Sequence, residues 1–228
     1  FKIKKMIFTT KYANQNLIKT SFLNYLLYLV SSPIVFISKT LGFSPNNLTI
    51  LSIVSCALSS FFLLNYSFKT YVCFFIFSLL LDYSDGPLAR MTNKVSSSKL
   101  NFDHLSDLFK IFLLSLCLCL LHNNKILFIV AFSFIFLMLF NEIIRGKIDS
   151  QNIKSQKSFI ETKLKTRLNP SLTILIQQVY NTFFIFHGHS LILFLFMPIS
   201  EDFAIIGLLY FSFLSFKSVL INIYKQNV

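Results

Sequence analysis

The chain has 228 residues, 54% of them hydrophobic, with 29 Phe, no Trp and only 13% charged residues. That charged share is about half of what a soluble domain carries, and a water-soluble protein of this length cannot hide so much apolar surface, so a bilayer is its expected solvent. The formal charge of +12 invites a nucleic-acid reading, which the placement of the basic residues excludes in favour of a membrane topology signal.

In chain order, residues 1–20 are polar and basic (Lys2, Lys4, Lys5, Lys11, Lys19) and are expected to be loosely ordered. They run into a proline-interrupted segment without a small-residue cleavage site, so no secretory signal is expected. Residues 21–41 are apolar but carry Ser31, Ser32, Pro33, Ser38 and Lys39, a pattern that predicts helices lying in the membrane interface. A seventh, kinked span is the alternative. Gly42 ends this segment, and Ser44-Pro45-Asn46-Asn47 forms a turn ahead of Thr49.

Six apolar spans follow, near Leu48–Phe68, Thr70–Met91, Leu100–Leu121, Ile126–Ile144, Leu172–Pro198 and Phe203–Tyr224. Lysine and arginine crowd the N-terminal segment, the turn with Lys94 and Lys99, and the polar connection from Arg145 to Arg167. The opposite side has Lys69 and Lys125, with Glu201 and Asp202 near the end of the chain. This positive-inside asymmetry predicts an all-α polytopic protein with both termini cytosolic, in contact with anionic lipid headgroups. One domain over 1–228 is expected, comprising a basic and interfacial segment (1–41) and a six-helix bundle (48–224). Cys56, Cys73, Cys117 and Cys119 all fall in apolar stretches without metal-ligand spacing, and are read as core or lipid-facing residues.

Four of the nine acidic residues lie between Asp82 and Asp107. An ionised carboxylate inside a span costs about 2–3 kcal/mol or more, and such residues usually mark function. Asp82 and Asp85 are three apart and share a helix face; Asp103 and Asp107, four apart, share another. The link from Arg90 to Lys99 is short, so the two helices are antiparallel neighbours and all four carboxylates can converge at one depth. Four such charges repel one another unless a cation joins them. Mg²⁺ or Mn²⁺ suits an all-oxygen set, and the carboxylate density can serve two ions, as phosphoryl chemistry often uses. The plainer reading pairs the acids with Arg90, Lys94, Lys99 and Lys110, of which Lys110 lies on roughly the face of Asp103 and Asp107. Gly86-Pro87 directly after Asp85 predicts a helix break suited to a ligand pocket, or a simple kink.

The run from Asp82 through Asp85, Gly86, Ala89, Arg90, Lys99, Asp103 and Asp107 resembles the CDP-alcohol phosphotransferase signature, D-x2-D-G-x2-A-R-x8-G-x3-D-x3-D. Every fixed position matches in register except the second glycine, where Lys99 stands. Ser44-Pro45-Asn46-Asn47-Leu48-Thr49 also looks like that family's start of its first span. The resemblance implies transfer of a substituted phosphate from a CDP-alcohol to an acceptor alcohol, with CMP released, in the cytoplasmic membrane with the site on the cytosolic side. It implies that Asp82, Asp85, Asp103 and Asp107 bind the divalent metals, with Asp107 as general base. It further implies that Asn46, Thr49, Asp82, Gly86, Ala89, Arg90 and Lys99 line the CDP site, and that the protein is a homodimer among membrane lipids. Lys99 either obstructs the nucleotide or snorkels outward to add a phosphate contact.

Other candidates are weighed as structural. His104 is turned about 100° from the aspartate face and is read as packing. The Thr92-Asn93 and Phe102-Asp103-His104 combinations are similar to choline/ethanolaminephosphotransferases. Asn141, Glu142 and Arg145 lie at the inner end of the fourth span, where a Glu142–Arg145 pair is expected. Lys163, Lys165 and Arg167 suit lipid attraction or an acceptor's phosphate, and His187 and His189 suit packing within the fifth span. A cation-coupled transporter is the rival class, but it calls for a midplane site and internal symmetry, and none is visible here. A catalytically silent family member is the third reading, with Lys99 as its support.

Overall fold

The computed structural model describes residues 21–94, 97–152, 180 and 188–226, and among them every regular element is helical. Six α-helices are each long and apolar enough to cross a membrane. They are α1 (Phe22–Thr40), α2 (Pro45–Leu64), α3 (Phe68–Met91), α4 (Ser97–His122), α5 (Lys125–Asn152) and α6 (Glu201–Gln226). Two short 3-10 stretches, Gly188–Leu195 and Met197–Ile199, precede α6.

The helix boundaries follow from local chemistry. Ser44 caps α2, its Oγ accepting from the Asn47 N–H at 3.3 Å, with Pro45 in the first turn where a missing N–H costs nothing. Left-handed Tyr66 (φ 58°), Asn93 (φ 54°) and Asn123 (φ 47°) close α2, α3 and α4. At the end of α3 the Lys94 N–H returns to the Ala89 carbonyl at 2.9 Å, which satisfies the last turn before the chain reverses into α4. Ser200 starts α6 by accepting from the Phe203 N–H at 3.2 Å.

Three expectations need correction. Residues 21–41 do not break at Pro33: α1 is continuous, and its polar residues Asn24, Ser31, Ser32 and Ser38 are buried. Ser31 Oγ (3.1 Å) and Ser32 Oγ (2.9 Å) donate to the Tyr28 carbonyl within α1, while Asn24 and Ser31 also meet α3. Asn24 Oδ1 accepts from Tyr83 Oη at 2.7 Å, Ser31 Oγ reaches the Tyr83 carbonyl at 3.4 Å, and Tyr28 packs edge-on against Tyr83. Nor does α3 break at Gly86-Pro87. Pro87 has no N–H for the Tyr83 carbonyl one turn earlier, and the Ser31 hydroxyl, at 3.1 Å from the Tyr28 carbonyl, approaches that oxygen at 3.4 Å. Finally, the described end of the expected fifth span, Gly188–Leu195, is 3-10 rather than α-helical. The rest of that span lies outside the described residues except Tyr180. The six span-length helices among the described residues therefore include α1.

α3 packs against both α1 and α2, α2 also packs against α4, and α5 pairs with α6. The main core joins Phe75, Leu114, Phe134, Phe194 and Phe211, and Tyr71 Oη ties α3 to the 3-10 stretch through the Phe194 carbonyl at 2.6 Å. A smaller cluster of Val35, Leu48, Leu81 and Leu88 joins α1, α2 and α3 beside the aspartates. The α2 face turned inward is small and polar, with Ser52, Ser55, Ser59 and Ser60 buried, which permits close helix approach in a membrane. Phe61, Ile129, Phe132 and Phe213 remain more than half exposed, as expected when the surrounding solvent is lipid. Cys56, Cys117 and Cys119 are buried thiols and Cys73 is exposed.

Candidate functional site

α2 packs against both α3 and α4, and side chains around it gather the four motif aspartates, Asp82 and Asp85 from α3 and Asp103 and Asp107 from α4. They do not close into one four-fold cluster. Instead they form two pairs, each bridged by a side chain from another position. The first bridge is Thr49, a fully buried residue of α2. Its Oγ1 lies 2.5 Å from Asp85 Oδ2 and 3.4 Å from Asp103 Oδ1, so one hydroxyl ties α2, α3 and α4 together. The second bridge is Lys110. Its ammonium is ion-paired with Asp82, lies 2.9 Å from Asp107 Oδ1 and meets Ser52 Oγ at 3.3 Å.

Exposure differs across the group in a way that matters for chemistry. The Lys110 side chain is 4% exposed, that of Asp82 20%, and that of Asp107 44%. Asp85 is buried and Asp103 is half-buried. Asp107 is thus the most open of the measured pair partners and the one best placed to meet a molecule arriving from the water phase. It lies in the second turn of the span Phe102–His122, about 8 Å along the axis from its start.

Gly86 and Arg90 form a local unit. A Cβ on Gly86 would stand 3.2 Å from Arg90 Nη2, so the guanidinium lies back over the glycine one turn earlier. Ala89 is buried, consistent with wall rather than ligand contact. Asn46 is exposed, one turn before Thr49 in α2. Lys99 falls in the first turn of α4; its side chain is outside the described residues. His104 is half-buried beside Asp103.

Of the remaining candidates, Asn141 Oδ1 accepts from Asn222 Nδ2 at 2.9 Å, a tie between α5 and α6. Glu142 is half-buried, while the side chain of Arg145, and with it the expected pair, lies outside the described residues. So do Lys163, Lys165, Arg167 and His187, and the side chain of His189. The positioning residues that sequence reading missed are Asn24, Ser31 and Ser52. The signal available for the first two was polarity at helical spacing in an apolar segment, which was read as breaking a span rather than as facing a partner helix.

Among the described residues, no three His, Cys, Asp or Glu side chains are gathered closely enough to hold one ion as they stand. The donor chemistry nevertheless fits a hard divalent cation at one pair. Asp85, Asp103 and Thr49 present an all-oxygen set around one point. At Asp82 and Asp107 the intervening cation is the protein's own Lys110, so the plainer expectation of structural ion pairing holds for that half.

Comparison with known proteins gives one result that bears on this site. The family model described as CDP-alcohol phosphatidyltransferase matches residues 43–196, which contain all four aspartates and Thr49. No curated protein matches the chain.

Proposed function

The chain belongs to the CDP-alcohol phosphatidyltransferase family, and from that premise we propose that it transfers a substituted phosphate from a CDP-alcohol to an acceptor alcohol, releasing CMP, with its site facing the cytosol. The observation that carries this reading is the convergence of Asp82, Asp85, Asp103 and Asp107 from α3 and α4 on the two bridges Thr49 and Lys110. A transporter site would be expected near mid-span. These carboxylates lie within the last three turns of α3 and the first three of α4 instead.

Asp85 and Asp103, with Thr49 between them, would hold a Mg²⁺ or Mn²⁺ ion, which when bound neutralises the diphosphate and the charge developing on it. Thr49 fixes α2 against Asp85 of α3 through its short hydrogen bond, with Asp103 of α4 close by. Arg90, folded over Gly86, offers a planar guanidinium to a phosphate oxygen, and glycine at that point leaves the backbone open to close approach. Asp107 is open enough to accept the proton of an incoming hydroxyl, and Lys110 orients its carboxylate from below. α1 holds the pair-bearing turn of α3 straight through the Tyr83 contacts.

The test is direct. Purified protein in lipid nanodiscs is given CDP-diacylglycerol, CDP-choline or CDP-ethanolamine with Mg²⁺ or Mn²⁺ and a panel of acceptor alcohols, and CMP is measured. Metal-dependent CMP release that is lost in Asp107→Asn supports the proposal. If wild type and Lys99→Gly are both inert with every donor, the transferase reading fails and a silent member is the better account.

A further inference from the structure

We propose that the end of the bundle remote from the aspartates carries a second site, a cavity bounded by His122 that takes the headgroup of an anionic phospholipid. The site is independent of the transferase chemistry proposed above.

The cavity has a volume of about 260 Å³. Leu63 and Tyr66 line it from the end of α2, Phe68 from the start of α3, Leu121 and His122 from the end of α4, and Pro198 from the 3-10 stretch before α6. Phe68 and Asp82 lie at positions 68 and 82 of the same helix, about 21 Å apart at 1.5 Å per residue, so no small ligand reaches both sites. Tyr66 is 83% exposed and Phe68 42%, so the cavity opens at the surface where these helices end.

The lining is chemically uneven. Leu63, Phe68, Leu121 and Pro198 are apolar, and His122 is set among them with its Nε2 buried and without a hydrogen-bond partner among the described residues. Buried polar groups in folded proteins are nearly always paired. The unpaired hydroxyls of Ser59, Ser60 and Ser115 lie inside helices, where a turn about χ1 reaches the carbonyl one turn back. An imidazole at the last residue of α4 has no such recourse, so its partner comes from outside the chain. Water is a poor candidate, because an ordered water needs about two to four polar contacts and these walls offer few. A molecule with a polar oxygen on an apolar body matches both parts of the lining.

Charge selects the kind of molecule. Lys69 follows Phe68, and Lys125 is three residues beyond His122; both are exposed, and neither is ion-paired with a described residue. The acids at this end, Glu201 and Asp202, occupy the first turn of α6, where the helix dipole already favours negative charge. Glu201 also accepts a hydrogen bond from Asn124 Nδ2. The two lysines are therefore left for an anion. Tyr66, amphipathic and exposed, has the character of residues that sit at the level of lipid headgroups. A headgroup phosphate oxygen accepting from His122 Nε2, with the lysines nearby and the glycerol end of the lipid against Leu121 and Phe68, meets these needs together.

The experiment counts lipids. Full-length protein in detergent is titrated with phosphatidylglycerol and, separately, with phosphatidylcholine, and bound lipid is read by native mass spectrometry. Wild type is expected to bind one phosphatidylglycerol about tenfold or more tighter than phosphatidylcholine. His122→Phe, which fills the cavity, should weaken that binding by about tenfold or more. The double variant Lys69→Gln/Lys125→Gln should lose about fivefold per lysine. Lys39→Gln removes an exposed cation at the end of α1 and should change nothing. No preference in wild type, or wild-type binding in a folded double-lysine variant, overturns the proposal whether or not His122→Phe folds. Wild-type binding in a folded His122→Phe protein overturns it too. So does an equal loss in Lys39→Gln, since the preference would then belong to the basic surface at large. Displacement of the lipid by inorganic phosphate would show that the anion alone is recognised and would overturn the assignment to a lipid. Lipid counting needs no turnover, so an inert enzyme leaves each of these outcomes readable.

Discussion

Replacing Thr49 by valine removes one hydroxyl and keeps the shape of a fully buried side chain. That hydroxyl stands 2.5 Å from Asp85 Oδ2 and 3.4 Å from Asp103 Oδ1. A hydrogen bond to a charged acceptor contributes about 1.5–3 kcal/mol, and the longer Asp103 contact, beyond the favourable range, adds little. The loss falls on a carboxylate that is itself buried, so Asp85 cannot recover the bond from water at small cost. At about 1.4 kcal/mol per decade, Thr49→Val is expected to lower the apparent Mn²⁺ affinity, and with it kcat/KM for CMP release, by roughly 10- to 100-fold. Thr49→Ser keeps the hydroxyl and removes a methyl, and should stay within about threefold of wild type in Mn²⁺ dependence. The assay is CMP release against Mn²⁺ concentration, with thermal unfolding in the absence of metal as a check on folding. A folded Thr49→Val protein with the Mn²⁺ dependence of wild type would refute the idea that this hydroxyl organises Asp85 for the metal.

Asp107→Asn keeps the volume and removes the proton acceptor, so CMP release should fall by about 100-fold or more while the protein stays folded, measured by circular dichroism and the CMP assay. Tyr83→Phe leaves buried Asn24 Oδ1 without its 2.7 Å donor and should destabilise the α1–α3 contact by about 1–2 kcal/mol, read as a lowered unfolding temperature in detergent. At Gly207 in α6, an added Cβ runs into the Met197 side chain; Gly207→Ala should cost about 1–3 kcal/mol, and Met197→Ala in the same chain should recover part of it. Full additivity of those last two substitutions would show that the contact does not restrict α6.

Much of the site was legible before the fold because its chemistry is written in local spacing. Asp82 and Asp85, and Asp103 and Asp107, lie one helical turn apart, and only a short reversal separates them, so their arrival at one end of the bundle needs nothing beyond helix geometry. The helix starts were legible for the same reason: Ser44-Pro45 acts on the next three residues and needs no distant partner. The continuity of α1 through Pro33 was not legible because polar groups in an apolar segment have two meanings, water or a partner helix. Asn24 and Ser31 find their partners in Tyr83, more than fifty positions on. Gly86-Pro87 failed likewise. Its local tendency to break a helix is real, but α3 is held by packing on α1 and α2 and stays continuous through it.

Composition and motif register were therefore enough to anticipate an all-helical chain with helices long and apolar enough to cross a membrane, and to single out four acids that the fold brings near one another, since each depends on residue type and short-range periodicity. Only the tertiary structure decided how those acids are divided. Thr49 and Ser52 come from α2, thirty or more positions before Asp82 and Asp85, and Lys110 of α4 reaches Asp82 of α3 beside Ser52. Such bridges depend on how three helices rotate about their axes when they pack. That rotation is set by the small, serine-rich face of α2 and the buried side chains around it, not by any single stretch of sequence.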